Sequence, residues 1–454
     1  MRKHYLIEFV QNDQMIVFCP PSIFQDKELT RIAFGSKSVE AEFLPHPDSD
    51  NCIVINRHIQ HALQIPDFKQ PYHLFINGNT LFIGPLVGIF TAGFTDIDEQ
   101  PIGERTQFFS KLLSVNKTVG ALSFVFGEQH IDWKQGTIEG YFYENNRWQQ
   151  LEVPFPNVIY DRLPNRKSER IPKLMKVKER LQKEYLIPWY NPGFFNKLDI
   201  YERLEQDSSV ERYLPETHPF TSFSIIETML SKYGHVFVKP RNGSLGLGIH
   251  QIIYDRETGK YYCRYQDSEE RNRLRKFPSL ELLFKWVFNN QSLENMIVQQ
   301  GIHLIRKDRR PIDFRVHTNK DDTGNWKVSA IAAKVAGQGS VTTHKRNGGE
   351  VKTINEIFNK EECNLYTEKL SKAALDLSTV LEQNIEGIIG EIGFDLGIDR
   401  NGDVWLFEAN SKPGRSIFSH PKMKDFDLLT RKLSLAFAVF LTEQSLLHPE
   451  ELYK

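Results

Sequence analysis

Short apolar runs broken by Pro, Gly, Asn and Asp set the texture of the first hundred residues. Tyr5-Leu6-Ile7-Glu8-Phe9-Val10, Met15-Ile16-Val17-Phe18 and His73-Leu74-Phe75-Ile76 read as strands, and Asn77-Gly78-Asn79 reads as a turn. They predict a small β-rich domain over 1–83 that carries no chemical signature. After Gly84-Pro85 the pattern changes. Helical spacing over Gln107 to Val115 precedes an apolar strand, Ala121 to Phe126, and a hairpin around Tyr143-Glu144-Asn145-Asn146. A second apolar strand, Asn157-Val158-Ile159-Tyr160, ends at Asp161-Arg162. Strands alternating with helices predict an open α/β layer over 84–219. The basic run from Arg162 to Arg180 takes helical spacing in its second half and reads as a solvated face. Trp189-Tyr190-Asn191-Pro192-Gly193 marks a boundary, Phe194 to Leu204 a short helix, and a third domain, 220–454, opens near Phe220. The class expected is α/β (α+β).

Length and charge narrow the picture. A chain of 454 residues is too long for one compact core, so two or three domains are expected. Lys and Arg number 57 against 58 Asp and Glu, which leaves no global field favouring nucleic acid or anionic lipid. Cys19, Cys52, Cys263 and Cys363 lie far apart without metal-ligand spacing, as structural thiols of a reducing cytosol would. Met1-Arg2-Lys3-His4 leads into a strand-like run rather than a secretory signal. Leu433 to Leu441 is roughly half the length needed to span a bilayer and reads as a buried stretch of a terminal helix. These features predict a cytoplasmic chain without a membrane segment.

Four stretches carry chemistry. In the first, the run His235-Val236-Phe237-Val238 ends at Lys239-Pro240 and is followed by Arg241-Asn242-Gly243-Ser244-Leu245-Gly246-Leu247-Gly248. Glycines there let backbone N–H groups approach an anion. The residues after them, Ile249 to Tyr254, read as a strand, which excludes a Walker P-loop, whose Gly-Lys-Ser/Thr opens a helix. A kinase-type cover is disfavoured because Gln251 stands at the third glycine position. By itself the segment is equally a glycine-rich hairpin. The second stretch, Met296 to Gly301 with Ile302 beyond it, is an apolar strand leading into a glycine. The third, Asp313-Phe314-Arg315, places Asp313 and Arg315 on one strand face, where Arg315 can grip a phosphate or carboxylate bidentately or can simply pair with Asp313.

The fourth is the most informative. Glu391 to Asp399, Arg400-Asn401-Gly402-Asp403 and Val404 to Asn410 form a hairpin in which Asn401-Gly402 signals the turn. A turn centred on that dipeptide sets Asp395 opposite Glu408. Two facing carboxylates in apolar strands are destabilising unless a cation lies between them. Asn410 lies on the same face as Glu408. Asp, Glu and Asn oxygens without His or Cys suit Mg²⁺ or Mn²⁺. Asp399 and Asp403 are expected to be turn residues facing water.

In order and spacing, the strand lysine with its glycine loop, the strand before Gly301, the D-x-R strand and the closing D…E-x-N hairpin resemble the ATP-grasp superfamily over about Phe220 to Leu447. Val158-Ile159-Tyr160-Asp161-Arg162, Phe194-Phe195-Asn196-Lys197, Leu214-Pro215-Glu216-Thr217, Gln300-Gly301-Ile302 and Phe407-Glu408-Ala409-Asn410-Ser411-Lys412-Pro413-Gly414 narrow this. They are similar to the endospore coat-associated ATP-grasp proteins of spore-forming bacteria, from about Gly84 onward.

That resemblance implies a lid over about 220–301 and a core over about 302–454. It implies Lys239 on the α/β phosphates, Gly243, Ser244, Gly246 and Gly248 in a cover over them, and Gln300 and Ile302 offering backbone groups to adenine. Lys197 would be a further nucleotide contact, and Asp395, Glu408 and Asn410 would hold Mg²⁺ (or Mn²⁺). Arg315 and Lys334 would act on the transferred phosphoryl group. The implied reaction is ATP-dependent ligation of a carboxylate to an amine (or thiol) through an acylphosphate. The alternative is a non-catalytic ATP-binding component associated with the spore coat and its proteins. Two departures stand out: Lys334 replaces the arginine usual near the γ-phosphate, and His344 replaces the asparagine usual before paired glycines such as Gly348-Gly349.

Overall fold

A computed structural model describes the chain apart from residues 1–2, 12–13, 24–27, 48, 242–247, 268, 270, 289–292, 341, 344–347 and 453–454. Gly243, Ser244, Gly246 and His344, which carry parts of the expected site, therefore lie outside the described residues.

Four sheets follow one another along the chain. The first has eight strands between Tyr5 and Gly84, in mixed parallel and antiparallel pairing. The second carries a parallel group, Leu86–Phe90, Leu122–Phe126, Val158–Asp161 and Trp189–Tyr190, whose all-buried patterns fit strands covered on both faces. An antiparallel hairpin, Thr137–Glu144 with Arg147–Pro154, extends it, turning through Asn145 and Asn146 at φ 51° and 62°. Two successive left-handed residues are what a two-residue hairpin turn demands, and asparagine tolerates them best after glycine. Tyr72, Phe142, Phe155 and Trp189 sit in one core joining the first two sheets.

The third and fourth sheets are antiparallel, with six strands each. The third orders Thr217–Pro219, Met296–Gln300, His235–Pro240, His250–Asp255, Lys260–Gln266 and Asn272–Phe277, and buries its apolar face against helices Phe223–Tyr233 and Leu280–Val287. The fourth runs Glu350–Lys352, Trp326–Val335, Arg310–Lys320, Glu391–Ile398, Val404–Asn410, with Arg306–Lys307 paired beside it. Helix Lys360–Asn384 covers its far face through Leu370, Ala374, Leu377 and Leu381. Helix Lys197–Glu205 packs Ile200 and Leu204 into this same core, so residues just before Phe220 build the last sheet's surroundings.

Helix Lys424–Leu447 ties the halves together. It contacts strands Arg310–Lys320 and Trp326–Val335 and buries Leu435, Phe437, Val439 and Leu441 with Val87, Ile89 and Tyr190 of the second sheet. Asn191, at φ 55° and fully buried, is the other tie. Its side chain accepts from the N–H groups of Gly390 and Glu391 and donates to the carbonyls of Glu391 and Ser411. No helix among the described residues is long and apolar enough to cross a membrane. All four cysteines are buried and unpaired.

Candidate functional site

Cross-strand register builds the centre of the site. On the fourth sheet Arg315 pairs with Asp395, which pairs with Glu408, so the three side chains form one row across three strands. Two residues along, Asp313 pairs with Lys334 on the neighbouring strand. The hairpin reaches this register by another route than a two-residue turn. Ile398 pairs with Val404 and Leu396 with Leu406 around a five-residue loop, 399–403, and a bulge at Phe407 then shifts the pairing so that Asp395 faces Glu408. Gly397 accommodates the bulged residue: a Cβ there would lie 2.6 Å from the Phe407 ring. Asp399 also differs from expectation. It is buried and does not face water; its carboxylate accepts the N–H groups of Asn401 and Asp403 at 2.9 Å and the Trp405 indole at 3.1 Å, which shapes the loop.

The row is tightly ionic. Arg315 grips Asp395 with Nε and Nη2, both at 2.9 Å, and Lys334 Nζ lies 2.7 Å from the same carboxylate and 2.9 Å from Asp313. Burial alone would raise the Asp395 carboxyl, but Arg315 and Lys334 hold it well below its ordinary value. Asp313, more dependent on Lys334 alone, is pushed up by burial even though Thr343 donates to it. Glu408 pairs with Lys197 at 3.3 Å, and Asn410 donates weakly to the Gly393 carbonyl at 3.4 Å.

Across from this row stands Lys239 on the third sheet. The residue is 8% exposed, and its ammonium donates to Gln299 Oε1 at 2.7 Å. Gln299 in turn donates to Tyr201 and Thr217, both at 2.9 Å. With a neutral partner, burial and then the nearby Lys197 ammonium push Lys239 down to about 7, against the opposing pull of Glu408 and Asp395. A cation desolvated without a counter-ion is poised for an anion. Gln299 is a site residue that the sequence reading gave no role, although it stands beside Gln300 on the strand before Gly301; Asp313, noted there for sharing a strand face with Arg315, joins the site through Lys334.

The link between the third and fourth sheets is equally specific. The Gln300 N–H donates to the Glu216 carbonyl, and the Glu216 N–H goes to the Gln300 side chain rather than its carbonyl. The Ile302 carbonyl accepts from Leu304. Gly301 has no freedom to gain a side chain, since a Cβ would fall 1.9 Å from the His235 ring. Gly248, the described glycine of the loop after Lys239, has φ +70°. The structure thus brings Lys197, Lys239, Arg315, Lys334, Asp395, Glu408 and Asn410 together, with Gln300 and Ile302 on the segment that links the third sheet to the fourth.

The carboxylates of Asp395 and Glu408 and the amide oxygen of Asn410, on adjacent strands, supply oxygen donors of the kind that suit Mg²⁺ or Mn²⁺. Four cations (Lys197, Lys239, Arg315, Lys334) face three carboxylates (Asp313, Asp395, Glu408), a balance suited to a polyanion carried with metal.

Two antiparallel sheets facing each other over such a cleft, the lysine on one and the carboxylate hairpin on the other, define an ATP-grasp protein. Residues 186–441, more than half the chain, match the family described as YheC/D like ATP-grasp, and the chain belongs to that family. It is 42% identical over 457 residues to the endospore coat-associated protein YheD of Bacillus subtilis (strain 168), covering 99% of both chains. It is 22% identical over 278 residues to YheC of the same organism, covering 61% of this chain and 75% of that one. Among solved structures, D-alanine–D-alanine ligase from Bacillus anthracis aligns with a TM-score of 0.44 at 13% identity, over 81% of this chain and 99% of that one.

Proposed function

We propose that the chain binds Mg·ATP in this cleft and ligates a carboxylic acid to an amine (or thiol) through an acylphosphate. The observation that carries the reading is the Arg315–Asp395–Glu408 row facing Lys239, a buried ammonium with a neutral partner. In this reading Lys239 and Lys197 hold the phosphates and the loop through Gly243, Ser244, Gly246 and Gly248 covers them. The Gln300 carbonyl and the Ile302 N–H present an acceptor and a donor to the edge of adenine. Asp395, Glu408 and Asn410 would hold the divalent ion, which neutralises phosphate charge when bound. The lid is proposed as about 220–301 and the core as about 302–454, behind domains 1–83 and 84–219.

Chemically, a substrate carboxylate oxygen attacks the γ-phosphorus, the bond from phosphorus to the β-bridging oxygen breaks, and ADP leaves. The nucleophile's lone pair then attacks the acyl carbon, phosphate departs with the C–O electron pair, and the nucleophile's proton passes to solvent. Arg315 orients the γ-phosphoryl oxygens through its planar fork, and Lys334 adds a point charge beside it. Purified protein should sustain ADP formation over many turnovers only when acid and nucleophile are both present, because acid alone gives ADP in the first step without completing the cycle. Glu408→Ala should abolish Mg²⁺-dependent ATP binding and Lys239→Ala should weaken it strongly; wild-type affinity in both variants refutes the site.

A second reading has its own support: both Asp395 oxygens are already engaged by Arg315 and Lys334. In that reading the nucleotide sets conformation or assembly of a spore-coat component, as the name of the relative YheD suggests. ATP binding without ADP formation for any acid–amine mixture, with altered coat composition in a deletion strain, would favour it.

A further inference from the structure

Beside the Asp395 row lies a second ionic cluster with an unbalanced charge. The carboxyl ends of the parallel strands Leu86–Phe90 and Val158–Asp161 run into Thr91 and Arg162, at the edge of an open α/β sheet where such folds place ligands. Arg105, in the turn Gly103–Arg105, donates to Thr91 Oγ1 and to the Arg162 carbonyl, both at 2.6 Å. It makes no ion pair among the described residues. Arg162 reaches Glu391 at 3.2 Å, and Arg415 reaches Glu391 at 3.5 Å and Asp427 at 3.1 Å. Arg431 also pairs with Asp427.

Four guanidinium groups thus face two carboxylates, a surplus of two positive charges. The neighbouring groups do not correct it. Asp161 and Glu169 are taken by Lys412, with Lys178 close enough to feel both carboxylates, and the neutral Tyr160 hydroxyl accepts from Arg162 at 3.3 Å while donating to Glu391.

An unmet donor points the same way: Arg162 Nε is buried with no hydrogen-bond partner among the described residues, as are both ring nitrogens of His317. His317, fully buried, follows Asp313 and Arg315 on the same strand face and feels the charges of Arg315, Arg415, Asp395 and Arg162. It therefore bridges the phosphoryl-side row and the arginine cluster. The Phe108 ring lies under both Arg162 and Arg415, at 4.9 and 5.8 Å, and Phe418 lies under Arg415 at 5.0 Å. Stacked guanidinium groups of this kind are held rigid for a planar anion.

We infer that Arg105, Arg162 and Arg415 seat the acid substrate of the ligation, and that this acid carries a second anionic group, as a small dicarboxylate does. The inference rests on the proposed ligase reading: one carboxylate faces the γ-phosphoryl position beside Arg315, and the other is held by Arg105 and Arg415.

The test is calorimetric titration of full-length protein, with Mg²⁺ and a non-hydrolysable ATP analogue present, using succinate, glutarate, aspartate and glutamate, and butyrate and monomethyl succinate as singly charged controls. At least one diacid should bind, and its singly charged counterpart should bind about tenfold more weakly or worse. Arg105→Leu removes no ion pair but does remove the hydrogen bonds to Thr91 and the Arg162 carbonyl, so it should lower the melting temperature modestly, keep nucleotide affinity within about twofold, and lose about tenfold in diacid affinity. Arg415→Lys, which keeps the charge but not the fork, should lose affinity as well. Nucleotide binding with no diacid binding, equal binding of diacid and monoester, or unchanged diacid affinity in both variants would overturn the inference alone. Failure of the wild type to bind Mg·ATP would remove the ligase reading with it.

Discussion

Lys239 lends itself to a quantitative test because its ammonium is almost wholly buried beside the neutral Gln299 and near a second ammonium, Lys197. Its proton is held to about pH 7, against an ordinary lysine value of about 10.4. At about 1.4 kcal/mol per unit, that gap corresponds to roughly 4–5 kcal/mol of unfavourable charging in the free protein. A phosphate accepting from the ammonium offsets it, so nucleotide binding should draw a proton onto Lys239. With a free value near 7, uptake should be about 0.1 proton at pH 6 and about 0.9 at pH 8, and the dissociation constant should rise about tenfold per unit above neutrality. Titration calorimetry of Mg·ATP in buffers of different ionisation enthalpy measures this directly. Lys239→Met should remove the pH 8 uptake and leave only the nucleotide's own titration. Equal uptake at pH 6 and 8, or the same profile in the variant, would refute the reasoning. The sign for stability follows from the same shift. The folded value lies below the unfolded one, so the unfolded chain binds the extra proton between about pH 7 and 10.4. Nucleotide-free protein should therefore gain stability from Lys239 as pH rises through that window.

Three further outcomes follow from packing. Gly397→Ala places a methyl 2.6 Å from the Phe407 ring and should push the bulge out of place, costing about 1–3 kcal/mol in urea denaturation and weakening Mg²⁺-dependent nucleotide binding because Glu408 shifts register. Asn191→Ala strands two N–H groups and two carbonyls buried between the second and fourth sheets, and should lower the unfolding midpoint by several kcal/mol's worth at about 1 kcal/mol or more per bond; a midpoint unchanged from wild type would contradict its role as a tie. Lys412→Met leaves Asp161 and Glu169 without their shared cation, a loss of about 3–5 kcal/mol that thermal and urea melts would register.

Much of the ATP-grasp half was legible in the chain because its chemistry is carried by strands, whose alternation assigns faces without knowledge of the fold. Asp313 and Arg315 share a face by spacing alone, and so do Glu408 and Asn410. The opposition of Asp395 and Glu408 was also readable, though its cause was not. Asn401-Gly402 suggested a two-residue turn, whereas the loop spans five residues and a bulge at Phe407 restores the register, a feature that depends on the space above Gly397. Asp399 likewise looked like a solvent-facing turn residue until the loop closed around its carboxylate.

What only tertiary structure decided is the pairing of groups distant in sequence. Lys239 acquires Gln299 and a depressed proton affinity because two strands sixty positions apart become neighbours. Arg105, Arg162, Glu391 and Arg415 meet because Asn191 and the helix Lys424–Leu447 draw the second sheet against the fourth. Face and residue type are local properties of a strand, and a sequence carries them openly. Counter-ion, desolvation and surplus charge are properties of a closed cleft, and they exist only once its walls have come together.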